Sequence, residues 1–196
     1  MGPMARAWQG SIVATIVVAL LLGGCTEPPA GDGPPADPES VALRISTATG
    51  GDTLAEDQRT DVESAIGEVL SEYVVEAFLG DHPRTGFVDA LDGFTDGAAG
   101  LAAGDLEVLT AAGVADLAAV RATRLDSALS LYVVDGDPLG ASAVVDFDFD
   151  ATLADESTQR LILRGRLLLT RTRDGWAVFG YDVKSDDGTA LGEDAS

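Results

Sequence analysis

The 196-residue chain has a single cysteine, Cys25. No disulfide can form within it, and no cysteine-based metal site can be built. It has one histidine, His82. A Ser-His-Asp arrangement, or any histidine-assisted nucleophile, would have to use that residue. No G-x-S-x-G elbow stands in the chain. There is one lysine, Lys184, among 12 basic residues, against 33 acidic ones, and the formal net charge is -21. Binding a phosphate backbone needs a basic footprint, so the charge argues against nucleic acid as a partner. It also repels an anionic lipid surface, which leaves covalent or hydrophobic attachment as the route to a membrane. Long hydrophobic runs are missing too. Residues 12–22 are apolar or small except Thr15, but a span needs about 20 apolar residues.

That short run ends at Cys25. Preceded by Arg6 and the terminal amine, and followed by small residues, it has the pattern of a signal peptide. Leu22-Gly23-Gly24-Cys25 resembles the lipobox of bacterial lipoproteins. The resemblance implies cleavage after residues 1–24 and a diacylglycerol on the Cys25 thiol, with two acyl chains enough for stable anchoring. The alternatives are a plain signal peptide with an incidental cysteine, and an uncleaved anchor. Residues 26–40 hold five prolines among fifteen residues and no large apolar side chain. Such a segment builds no core and prefers extended states, with a reach of about 45–50 Å at most. The expected organisation is therefore a leader over 1–24, a lipidated cysteine and disordered linker over 25–40, a domain over 41–185 and an acidic disordered tail over 186–196. The expected location is the extracytoplasmic face of a cell membrane, held through the N-terminal lipid. Arginine outnumbers lysine eleven to one, which suggests a GC-rich, actinobacterial genome, with a halophile as the alternative.

Helical signals open the domain. Thr53-Leu54-Ala55-Glu56 fits a capping box. Val62, Ile66, Val69, Leu70, Tyr73, Val74, Ala77 and Phe78 then recur at helical spacing. Gly80 and Pro83 are placed to end the helix, which is expected over about 54–79. Phe87, Val88, Leu91 and Phe94 suggest a short helix, and Leu101, Leu106, Val108 and Leu109 one or two more. After residue 118 the period becomes two. Leu125, Leu129, Leu131 and Val133 alternate with more polar neighbours. Asp135-Gly136-Asp137-Pro138 reads as a turn, and Val145, Phe147 and Phe149 alternate with Asp146, Asp148 and Asp150. Residues 154–158 connect to a strand at 161–172. Asp174-Gly175 predicts a two-residue hairpin into a last strand over 176–183. The expected fold is α+β: a long N-terminal helix and short helices packed on a curved four-stranded antiparallel meander.

That order resembles the cone of the NTF2-like superfamily. Residues 164–183, RGRLLLTRTRDGWAVFGYDV, are similar to the last hairpin of such domains, and residues 82–100 to a stretch of actinobacterial proteins. The superfamily includes ketosteroid isomerase, polyketide cyclases of the SnoaL kind, transport factors and many binding modules, so the fold does not choose an activity.

Asp146, Asp148 and Asp150 invite a calcium reading, but the sixth and twelfth positions of that loop are Ala151 and Ser157. The glycine and glutamate of an EF-hand are missing. An alternating strand explains the pattern, with Asp150 opposite Arg164 and Asp148 opposite Arg166 if the turn falls near 155–158. No metal site and no cofactor are expected. His82 reads as a loop or helix-end residue. The inner sheet face is expected to carry Phe147, Leu167, Leu169, Trp176 and Val178, against Val69, Tyr73 and Phe78. Asp182 falls on the same side by alternation. Tyr73, Trp176 and Asp182 are therefore the candidate ligand pocket. The cone resemblance makes Tyr73 with Asp182 the nearest analogue of an acid–tyrosine proton-transfer pair. A filled core, with the Tyr73 hydroxyl at the rim, is the alternative.

Three functions are carried forward. The first is a non-enzymatic tethered domain that binds a protein partner or a small apolar ligand. The second is an extracytoplasmic isomerase or cyclase-like enzyme using the cone interior. The third is a structural envelope protein that forms a homodimer through an outer sheet face bearing Phe179, Tyr181, Leu168 and Ile162.

Overall fold

The structure, a computed structural model, describes residues 41–84 and 86–186. The leader, Cys25, the linker and the chain beyond Asp186 lie outside the described residues. Helix α1 runs Glu56–Val74 and passes into a π-helical last turn, Val75–Leu79, which Gly80 closes by donating its N–H to the Val75 carbonyl at 2.8 Å. The entry differs from the expected capping box. Ala55 is the N-cap, its N–H is held by Gln58 Oε1 at 3.2 Å, and Thr53 Oγ1 turns back to the Gly50 carbonyl at 3.0 Å. A short 3-10 helix over Val88–Leu91, helices α2 (Asp96–Ala102) and α3 (Leu106–Leu109) and a 3-10 turn over Ala111–Gly113 follow.

The sheet is a correction to the expected meander. It has five strands, β1 (Arg44–Thr49), β2 (Leu117–Val134), β3 (Asp137–Leu153), β4 (Thr158–Arg171) and β5 (Trp176–Asp186), in the order β1-β2-β3-β4-β5. Strand β1 runs parallel to β2, and the other neighbours are antiparallel. All the helices fall in the connection from β1 to β2, as a parallel crossover requires. Strand β1 leaves no apolar run in the sequence because it is an edge strand. Only Ile45 and Thr47 of its central residues are partly covered, while Arg44 and Ser46 are exposed. Strand β5 ends at Asp186.

The turns also refine the expectation. Asp135 and Gly136, with φ of 52° and 86°, alone make the β2–β3 turn, and Asp137 and Pro138 already belong to β3. Two left-handed residues suit the twist of the flanking strands. The last hairpin is wider than the expected two residues. Arg171 pairs with Trp176, and Thr172 N–H reaches the Gly175 carbonyl at 2.7 Å across the loop between them.

One side of α1 fills the inner face of the sheet. Ile66, Leu70, Tyr73, Val74 and Phe78 are buried in one cluster with Leu129, Phe147, Phe149, Leu163, Leu167, Leu169 and Val178. Phe78 stacks on Phe149 with centroids 4.3 Å apart. Large side chains buried in this way each contribute about 1.5–3 kcal/mol. The outer edge of β5 is partly closed by Gly93 and Thr95, which exchange backbone hydrogen bonds with Val178 at 2.9 and 2.8 Å.

Candidate functional site

The structure does not bring Tyr73, Trp176 and Asp182 together. Tyr73 is buried, and its hydroxyl donates to the Leu109 carbonyl. Burial pushes the phenol well above its ordinary pKa, so it stays protonated. Trp176 is 9% exposed and belongs to the core. Asp182 is exposed on the outer side. The reason is a β-bulge: Leu168 pairs with Gly180 but Leu169 pairs with Val178, leaving Phe179 as the extra residue. One extra residue exchanges the two faces for everything beyond it. Tyr181 and Val183 therefore pack toward the core, and Asp182 turns out. Tyr181, expected on the outer face, instead donates to Asp105 Oδ2 at 2.7 Å. Its pKa is pushed up to about 12 by burial, with the Asp105 carboxylate adding to the shift. Gly180 after an aromatic, inside a strand, is the sequence signal that could have revealed the bulge.

The outer face carries a lattice of arginines and aspartates. Arg44 grips Asp126 through two nitrogens at 2.6 and 2.9 Å. Arg124 and Arg164 both reach Asp146 at 2.8 Å, Arg160 reaches Asp148 at 2.7 Å, and Arg121 reaches Asp150 at 2.6 Å. The expected pairs were Asp150 with Arg164 and Asp148 with Arg166. The register instead sets Asp150 opposite Arg160 and Asp146 opposite Arg164. The β3–β4 turn is centred two residues earlier than expected, which moves every partner by four and keeps the face. The Arg44 hydrogen bond holds Asp126 below the usual carboxylate range. Burial pushes Asp146 up, but Arg124 and Arg164 outweigh it and the net shift is down. Asp148, with its side chain 3% exposed, is the deepest of these carboxylates. Alternation gives its face but not how completely long arginines cover it.

His82 and Arg84 lie at the C-terminal end of α1. His82 Nε2 is 3.0 Å from the Phe78 carbonyl, and Arg84 Nη2 donates to the Glu76 carbonyl. Both side chains thus take helix-end carbonyls that lack intrahelical partners, where positive charge is favoured. Arg84 also lies over the Phe87 ring, 4.5 Å from its centroid. His82 lies in the loop just after the helix, within the expected loop or helix-end placement. Arg84 carried no signal, since its role depends on a chain reversal that the sequence does not specify. Among the described residues, no group of three or more His, Cys, Asp or Glu side chains is placed to hold a metal ion. No described helix is long and apolar enough to cross a membrane.

No protein-family model matches the chain, and no curated protein matches it. Among solved structures, the chain is similar to a protein of Novosphingobium aromaticivorans provisionally described as an aromatic ring hydroxylase. The two are 20% identical over 64% of this chain and 89% of that one, with a TM-score of 0.41. The class defined by the described residues is α+β, with helices on the inner face of a five-stranded mixed sheet.

Proposed function

We propose that the chain is a membrane-anchored, extracytoplasmic lipoprotein whose domain is an NTF2-like cone used for binding a protein partner rather than for turnover. The anchor rests on Leu22-Gly23-Gly24-Cys25, the short apolar run before it and the proline-rich spacer after it. The cone reading rests on the element order and on α1 lying against the inner sheet face.

One observation carries the binding reading: the interior is occupied by packed side chains while the outer sheet face carries exposed arginines and exposed apolar residues. Inside, Tyr73 is committed to Leu109 and the expected acid, Asp182, faces outward. Outside, half-exposed arginines stand toward one end of the strands and the exposed apolar residues Tyr132, Val144 and Phe179 farther along them. Arginine and aromatic residues at a surface favour protein contact over catalysis. The exposed apolar residues also favour a second reading, a homodimer formed through this face. Native mass spectrometry of the full chain in detergent separates the two, because a homodimer doubles the mass and a monomer leaves the face free for another protein. Cell fractionation tests the anchor. The wild-type chain is expected with membranes and the Cys25→Ala variant in the soluble extracytoplasmic fraction. Continued pelleting of that variant contradicts the anchor.

A further inference from the structure

Among the described residues, Arg84 is the charged side chain with a buried nitrogen that has no hydrogen-bond partner. Its side chain is 17% exposed, against 43–74% for the arginines paired on the sheet. A guanidinium this deep is costly unless its donors are matched. Nη2 has the Glu76 carbonyl, but the Glu76 carboxylate is 3.8 Å from Nη1, outside hydrogen-bond reach. Nε is buried with no partner. The sheet arginines have carboxylates at 2.6–2.8 Å, so this is a local exception rather than a property of the chain. Gly80 allows it, since a Cβ there would lie 2.5 Å from Arg84 Nη1.

Arg84 borders a cleft of about 210 Å³ that it shares with His82, Phe87, Val114, Asp116 and Leu117. One part of the lining offers nitrogen donors and another offers apolar surface. Nε has no accessible surface, so a ligand in the cleft would meet the guanidinium through its Nη1 end, whose nearest carboxylate is 3.8 Å away. A planar guanidinium fork matches a carboxylate. We propose that this cleft binds a small monocarboxylate with an apolar body, its carboxylate on Arg84 and its body against Phe87, Val114 and Leu117. Glu76 and Asp116 set the charge limit. Both are negative, so each further charge on a ligand adds repulsion there. The volume suits a ligand the size of benzoate or 4-methylpentanoate. The site is separate from the outer sheet face and does not depend on the lipid anchor.

Isothermal titration of the purified full-length chain with benzoate, 4-methylpentanoate, benzamide and phthalate tests the site. The two monocarboxylates are expected to give saturable one-site binding. Benzamide, which lacks the charge, and phthalate, which carries two, are each expected to bind about tenfold more weakly or worse. Arg84→Lys keeps a charge but loses the fork, and is expected to weaken benzoate by a similar factor. Asp116 is exposed and has a φ of 55° that asparagine also accepts. Asp116→Asn is therefore expected to fold and to tighten benzoate severalfold, which keeps the test decisive if the arginine variant is unstable. Absence of saturable binding by both monocarboxylates overturns the site. So does equal binding of benzamide, or a benzoate affinity unchanged in either variant.

Discussion

The phenol of Tyr73 and the carbonyl of Leu109 satisfy each other inside the core. Tyr73→Phe keeps the ring and its tilted contact with Phe94, 5.9 Å away, but leaves that carbonyl without its donor. Equilibrium unfolding should show a loss of about 1–2 kcal/mol. A catalytic tyrosine would behave differently, giving little loss of stability and a loss of turnover. Asp182 makes the contrast. It is exposed, so Asp182→Asn belongs with surface changes that move stability by about 0.5 kcal/mol or less. Much of this was readable beforehand. The stripe Val62, Ile66, Leu70, Tyr73 places Tyr73 in the core because helical period fixes a face. Its hydroxyl partner was not readable, because Leu109 is 36 residues away and arrives only through the packing of α3.

Among the elements, β5 separates what pattern can and cannot give. Alternation correctly set Trp176 and Val178 inside, and failed at Tyr181 and Asp182 because a bulge at Phe179 leaves the polarity pattern almost unchanged. Strand β1 escaped notice for the opposite reason, since an edge strand that covers little apolar surface leaves no signal. The β4–β5 pair also leaves no room for a side chain at Gly165. Gly165 has a φ of 142°, and a Cβ there would lie 2.2 Å from the Asp182 carbonyl oxygen. Only glycine adopts that backbone comfortably. Gly165→Ala is expected to cost about 2–4 kcal/mol through strain and separation of the two strands. A loss under about 0.5 kcal/mol, measured by denaturant unfolding, would mean that the strands do not meet in this register.

Across the whole molecule, charge is strongly segregated. Between residues 51 and 116 fifteen acidic residues face two arginines, whereas seven of the 12 basic residues belong to the outer sheet face. On that face Arg44 holds Asp126, and Arg124 and Arg164 hold Asp146, each below the usual carboxylate range. A lowered folded pKa gives stability that is present above about pH 4 and is lost as pH falls through the folded value. The melting temperature of Asp146→Asn should therefore lie below that of the wild type at neutral pH and converge with it in acid. A gap that persists at the lowest pH would contradict the pairing. Segregation of this kind suits a domain that presents one face to a partner and keeps the rest repulsive, and presentation depends on attachment. Intact-mass spectrometry of the chain extracted from membranes tests that attachment most directly. The expected mass is that of residues 25–196 with a diacylglycerol-modified Cys25. A chain that retains residues 1–24, or one that carries Cys25 as a free thiol, would contradict it.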